Sequence, residues 1–224
     1  MTFSLAGRCS RTGMLGVVVT TSSISVGSRC AYAQAGVGAA LSQHTTDPRL
    51  GPLMLERLRQ GHEPKRAIEA AVNATPRSDW RQLAVIDAQG RTASFTGASA
   101  KPERGEAHGV DCVAIANIVR SADVPAAMVA AFEAQPDAHL AQRLIEALAA
   151  GDAAGGEFRP LVSAGLLVAH QQPFSYVDLR VDSDPDPIST LRRLWSEYEP
   201  LADMFVTRAV DPDAIVGERS AQTR

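Results

Sequence analysis

Residues 1–20, MTFSLAGRCSRTGMLGVVVT, decide how the rest of the chain is read. Leu15 to Thr20 is a β-branched run of strand length, and Gly13 marks a turn in front of it. The segment before Gly13 is therefore the first strand of a hairpin, and it starts at Thr2. The small, apolar Gly36–Ser42 reads as another strand, of the kind that lets something approach its backbone closely. Two helices follow. Leu50, Met54 and Leu58, with Leu53 beside them, share one helical face that ends at Gly61, and Pro64 opens a second helix with Ala67, Ile68, Ala71 and Val72 as its apolar stripe. Arg81 to Gly97 reads as a hairpin turning at Asp87-Ala88-Gln89-Gly90, and Val110 to Val119 as a further strand.

The second half repeats this order. Pro125 starts a helix carrying Met128 and Phe132, and Asp137 is placed to cap a second with Leu140, Leu144, Ile145 and Leu148. Gly151 to Gly156 reads as a loop, Leu161–Ala169 and Tyr176–Val181 as strands, and Asp186-Pro187 as the N-cap and first turn of a helix with Ile188, Leu191, Leu194 and Trp195. From about Thr207 the tail reads as poorly ordered. Strand groups alternating with helix pairs, twice over, argue for an α+β sandwich of mainly antiparallel sheets; a doubly wound fold needs single helices between single strands.

Composition limits the function. The chain has 224 residues, 45% apolar and 21% charged, which excludes a disordered chain, a collagen-like chain and a disulfide scaffold. A formal net charge of −3 with no basic stripe disfavours a nucleic-acid partner. No apolar run is long enough to span a membrane, and no signal-peptide layout opens the chain, so a cytoplasmic protein is expected. Cys9, Cys30 and Cys112 fall in no C-x-x-C pair and read as small buried fillers. His44, His62, His108, His139 and His170 show no metal-ligand spacing, and neither a metal nor another cofactor is expected. His62 and His139 read as solvated. Asp182, Asp184 and Asp186 lack the glycine and glutamate of a calcium loop and read as a turn and helix cap.

Three features carry possible chemistry. Thr2 follows Met1, which a methionine aminopeptidase removes when the next residue is small. The mature chain would then present a hydroxyl nucleophile and a free amine on one residue, the amine having a pKa near about 8 as a general base requires. Gln43-His44-Thr45-Thr46 follows the small apolar strand, and a polar cluster at a strand end lines pockets, so Gln43 and His44 are candidate substrate contacts. Asn117 lies in an apolar strand. Its amide must find partners, either in a bulge or neighbouring loop or as a donor to an oxyanion.

Met1-Thr2-Phe3-Ser4, Val26-Gly27, Ala35 to Ala39, Gln43, Asp47 to Gly51, Arg81-Gln82-Leu83, Asp87 to Gly90, Phe95-Thr96-Gly97 and Tyr176 to Asp182 occur in one order. By that ordered set the chain resembles the bacterial domain-of-unknown-function family numbered ten twenty-eight, grouped by fold with the N-terminal nucleophile hydrolases. The resemblance covers roughly residues 1–200. It implies a single domain over 1–200 with a four-layer αββα sandwich, followed by a partly disordered extension over 201–224. It also implies amide hydrolysis of a small amide or peptide-like substrate, with Thr2 as nucleophile, Asn117 and a backbone N–H near Gln43-His44 as oxyanion donors, and Ser22 or Ser23 orienting the amine. Homo-oligomers are expected. The second strand continues Thr20-Thr21-Ser22-Ser23, so the amine's surroundings there offer hydroxyls and no charged partner. A non-catalytic ligand-binding protein on the same fold is the alternative.

Overall fold

In a computed structural model describing residues 1–214, Leu15–Thr21 is buried along its whole length. That requires cover on both faces, and the chain supplies it in layers. Its elements are β1 (Thr2–Arg8), β2 (Leu15–Thr21), α1 (Gly27–Cys30), β3 (Ala31–Gln34), β4 (Gly38–His44), α2 (Leu50–Arg59), α3 (Pro64–Asn73), β5 (Arg81–Asp87), β6 (Thr92–Thr96), β7 (Arg104–Gly109) and β8 (Cys112–Asn117). These continue as α4 (Val124–Glu133), α5 (Leu140–Ala153), β9 (Ser163–Ala169), β10 (Ser175–Val181), α6 (Pro187–Tyr198) and α7 (Ala202–Val210). A six-stranded sheet runs β10-β9-β2-β1-β8-β7 and a four-stranded sheet β3-β4-β5-β6, with every pairing antiparallel.

The period of two along each strand sorts the core into three apolar layers. Phe3, Leu5 and Val18 point outward from the large sheet onto Met128, Phe132, Leu144, Leu148 and Trp195 of α4, α5 and α6. Ala6, Val17, Val113 and Ile115 point the other way and meet Ala39, Leu41, Ala84 and Ile86 of the small sheet. The small sheet's far face, with Ala40, Leu83 and Val85, is covered by Met54, Leu58, Ala67 and Ile68 of α2 and α3. The result is the four-layer αββα sandwich, the arrangement implied by the resemblance to N-terminal nucleophile hydrolases. On one side His108 of β7 clasps the two sheets together, its ring nitrogens 2.8 Å and 2.9 Å from the hydroxyls of Thr92 and Ser94 on β6.

Several boundaries differ from expectation for physical reasons. β3 and β7 are strands that periodicity missed, because AYAQ is short and RGEAHG has no apolar alternation; each is an edge strand held by pairing on one side. The stretch Gly151–Ala153, expected in a loop, is the end of α5, where Gly151 packs close to Met128. The cap of that helix is His139, whose Nδ1 accepts the Ala141 N–H at 3.1 Å, and not Asp137. Nor is His139 solvated: its ring stacks on Trp195 at 4.7 Å and on Tyr176 at 5.8 Å. Asp186 does cap α6, accepting from Ser189 N. Thr207 to Val210, expected in the tail, form the last turn of α7, while the expectation of disorder over 215–224 lies outside the described residues. All three cysteines are buried and free.

Candidate active site

The hairpin β1–β2 carries Thr2 to the open end of the space between the sheets. Thr2 lies opposite Asn117 in the β1–β8 ladder, with its side chain on the same face as Ser4 and Ala6. It is 6% exposed, and its Oγ1 is 3.2 Å from Oγ1 of Thr21 on β2. Both hydroxyls donate to the Met1 carbonyl. Of the hydroxyl run Thr20–Ser23, the residue that reaches Thr2 is therefore Thr21, the last of β2. Ser22 contributes its backbone: its N–H donates to Glu157 Oε2 at 3.1 Å. Ser23 is exposed and holds the loop, its hydroxyl accepting from Arg29 at 2.7 Å and its carbonyl from Ser163 Oγ at 2.6 Å.

Glu157 is the charged group that the sequence reading did not find. It follows α5 through Gly155 and Gly156, whose φ angles of +134° and +56° turn the chain back into the mouth of the sandwich. A bridge to Val119 and a bond from Arg120 to its carbonyl fix the backbone there. The carboxylate is 5% exposed, and Oε1 has no hydrogen-bond partner among the described residues. Burial raises its pKa to about 7, against the opposing pull of the Ser22 N–H and the N-terminal ammonium. The Met1 ammonium is held below its ordinary value, mainly by burial, with Glu157 pulling the other way. The only sequence sign was a glycine pair followed by an acid, a pattern without chemical specificity.

Gln43 and Asn117 meet, but inside the wall of the site. Gln43 is buried, accepts from Ser4 Oγ at 2.7 Å and donates to Gln82 Oε1 at 2.8 Å. Asn117 Nδ2 donates to the same Gln82 oxygen at 3.0 Å, leaving its own Oδ1 without a partner among the described residues. Gln82 in turn donates to the Ala116 carbonyl at 3.0 Å, so one glutamine ties both sheets at the floor of the site. His44 ends β4 with a φ of +71° and holds Nδ1 2.9 Å from the Trp80 carbonyl. Burial lowers its pKa, and it feels the charges of the N-terminus, Arg104 and Lys101 across the same mouth.

Above Met1 opens a pocket of about 520 Å³, lined by Lys101, Pro102, Glu103, Ile118, Phe158 and Arg159 as well as Met1 itself. Ile118 has a φ of +55°, a costly conformation for a β-branched residue and one that recurs at functional sites. Among the described residues no group of three His, Cys, Asp or Glu side chains could hold a metal ion, and no helix is long and apolar enough to cross a membrane.

The model of a family of unknown function, DUF1028, matches residues 2–191. A crystal structure of a DUF1028 protein from Silicibacter pomeroyi superposes with a TM-score of 0.82 and 31% identity, over 88% of this chain and 85% of that chain. Anbu, an ancestral β-subunit, from Yersinia bercovieri matches more loosely, with a TM-score of 0.41 and 12% identity over 91% of this chain and 96% of that one. Anbu from Hyphomicrobium sp. strain MC1 gives 0.41 and 14% over 91% and 98%, and likenesses at this level support no conclusion. No curated protein matches the chain. The match across nearly the whole described chain and the close structural relative agree: the chain belongs to the DUF1028 family.

Proposed function

We propose that this protein is an N-terminal nucleophile amidohydrolase acting on a small amide or peptide-like substrate through Thr2 once Met1 is removed. The observation that carries the reading is the Thr2 hydroxyl at the mouth of the sandwich, beside Thr21, with the buried Glu157 carboxylate bonded to the next residue along. Loss of Met1 removes the carbonyl that takes both hydroxyls and leaves an α-amine on Thr2 itself. In the proposed reaction the hydroxyl oxygen attacks the amide carbonyl, and its proton passes through water to the α-amine. The amine leaving group departs with that proton as the C–N bond breaks, leaving an ester on Thr2 that water then hydrolyses. The free second N–H of Asn117 and a backbone N–H near Gln43-His44 are the proposed oxyanion donors. Glu157 is a positioning residue that fixes the α-amine. The roles first assigned to Ser22 and Ser23 reduce to the Ser22 backbone N–H that orients Glu157.

The test is an intact mass, followed by an electrophilic amide-mimic probe. A chain short of one methionine and labelled at Thr2, with labelling and turnover both lost in a folded Thr2→Ala variant, supports the reading. Wild-type turnover in Thr2→Ala sinks it. A ligand-binding protein on the same fold is the second reading. It is favoured by the commitment of one Asn117 donor to Gln82. A retained Met1 in the purified protein would select it.

A further inference from the structure

The pocket that Met1 lines is chemically lopsided. Its walls include Phe158, 50% exposed, together with Pro102 and Ile118, and its charged rim consists of Lys101, Arg159 and Glu103. The neighbouring guanidiniums are already spent: Arg104 donates to the carbonyls of Gly97 and Ala100, and Arg120 to those of Glu157 and Phe158. Among the described residues Lys101 and Arg159 make no ion pair. Both line the pocket together with Met1, which places them at its reacting end. Two unspent cations face one carboxylate on the rim, over an apolar wall.

We propose that this pocket selects an amide whose acyl group carries a carboxylate, with Lys101 and Arg159 as its charged contacts and Phe158 as the wall for the carbon chain between carboxylate and amide. The inference rests on the nucleophile reading for the position of the amide, but recognition is separable from chemistry. The pocket, about 520 Å³ with Met1 in place and larger once Met1 is lost, has room for a small acyl group. The substrate carboxylate would balance the two cations, which only Glu103 opposes on the rim, and the departing amine lies toward the open side.

Recognition is measured in the Thr2→Ala protein, after its mass confirms loss of Met1, by calorimetric binding of glutaric acid monoanilide and of its methyl ester. The acid should bind about tenfold more tightly, a margin that shrinks as salt rises from about 50 to 500 mM. In Lys101→Ala/Arg159→Ala on the same background, the two compounds should bind within about twofold of each other, and Lys101→Arg/Arg159→Lys should restore the preference. Equal affinity for acid and ester, tighter binding of the ester, or a preference that survives loss of both cations overturns the proposal. Labelling of wild-type Thr2 by an electrophile is scored separately. Labelling without acid preference removes the substrate class alone, and acid preference without labelling removes the nucleophile alone.

Discussion

Glu157 shows how much one side chain can depend on its surroundings. In water it would be an ordinary carboxylate; here it is nearly closed off from solvent, with a single N–H donor on Oε2 and none on Oε1. A carboxylate so placed favours the charged form of a nearby amine and raises that amine's pKa, while burial of the amine lowers it. Replacing Glu157 with Gln removes the first effect and leaves the second. In the proposed mechanism the base must be neutral, so the acidic limb of the kcat/KM profile should move to lower pH in Glu157→Gln. The kcat should fall by about tenfold or more, because the amine loses its anchor. A pH–rate series on a cleaved amide checks this; a fall in kcat with an unmoved limb would make Glu157 merely structural. The same locality governs Thr21. A hydroxyl run was visible in sequence, yet which member faces Thr2 depends on the pleat of β2.

At the scale of elements, two ends of α5 do different work. Its start is capped by His139, which must be neutral for Nδ1 to accept the Ala141 N–H, and burial between Trp195 and Tyr176 holds its pKa below the usual 6.5. The sign follows from that depression. The unfolded chain takes up the proton first, so the stability is present above about pH 6.5 and is lost as pH falls toward the folded pKa. Thermal melts should show a drop in Tm between about pH 7 and 5 that His139→Asn, a cap that does not titrate, reduces. The other end of α5 delivers Glu157 through Gly155, whose φ of +134° a side chain rarely adopts. Gly155→Ala should cost about 1–3 kcal/mol in urea unfolding and displace Glu157, with activity falling alongside. A variant as stable as wild type would show that the loop relaxes without strain.

Across the whole molecule, the two sheets are joined by an apolar middle layer that mixes Ala with Val, Leu and Ile, and Gln82 spans them at the end that forms the site. Its oxygen takes donors from Gln43 and Asn117, and its nitrogen reaches the Ala116 carbonyl of the opposite sheet. Gln82→Leu keeps the volume but strands these buried groups, so a destabilisation on the order of 3 kcal/mol is expected from chemical denaturation. The site should suffer more than the fold, because Asn117 would then lack its orienting partner. A loss below about 1 kcal/mol would mean that the network closes up through Gln43 and the Ile115 carbonyl, 3.4 Å apart.

Local pattern determined that this protein is an α+β sandwich of mainly antiparallel sheets, and the family resemblance implied the four-layer order. Val17 to Val19, the helical faces of Leu50–Leu58 and Leu140–Leu148, and the Asp186-Pro187 cap each state their element within a few residues, and strand groups alternating with helix pairs then leave little besides a sandwich. The place of Thr2 at the start of the first strand was also legible, because the hairpin that carries it is local. Tertiary structure decided what surrounds it. It brought Glu157 across 155 positions to the mouth of β1–β2, turned Gln43 and Asn117 onto Gln82 in the wall, and made His139 a half-buried cap stacked on Trp195. Periodicity records which face of an element is apolar. It carries no record of which distant backbone will offer a buried polar group its hydrogen bond.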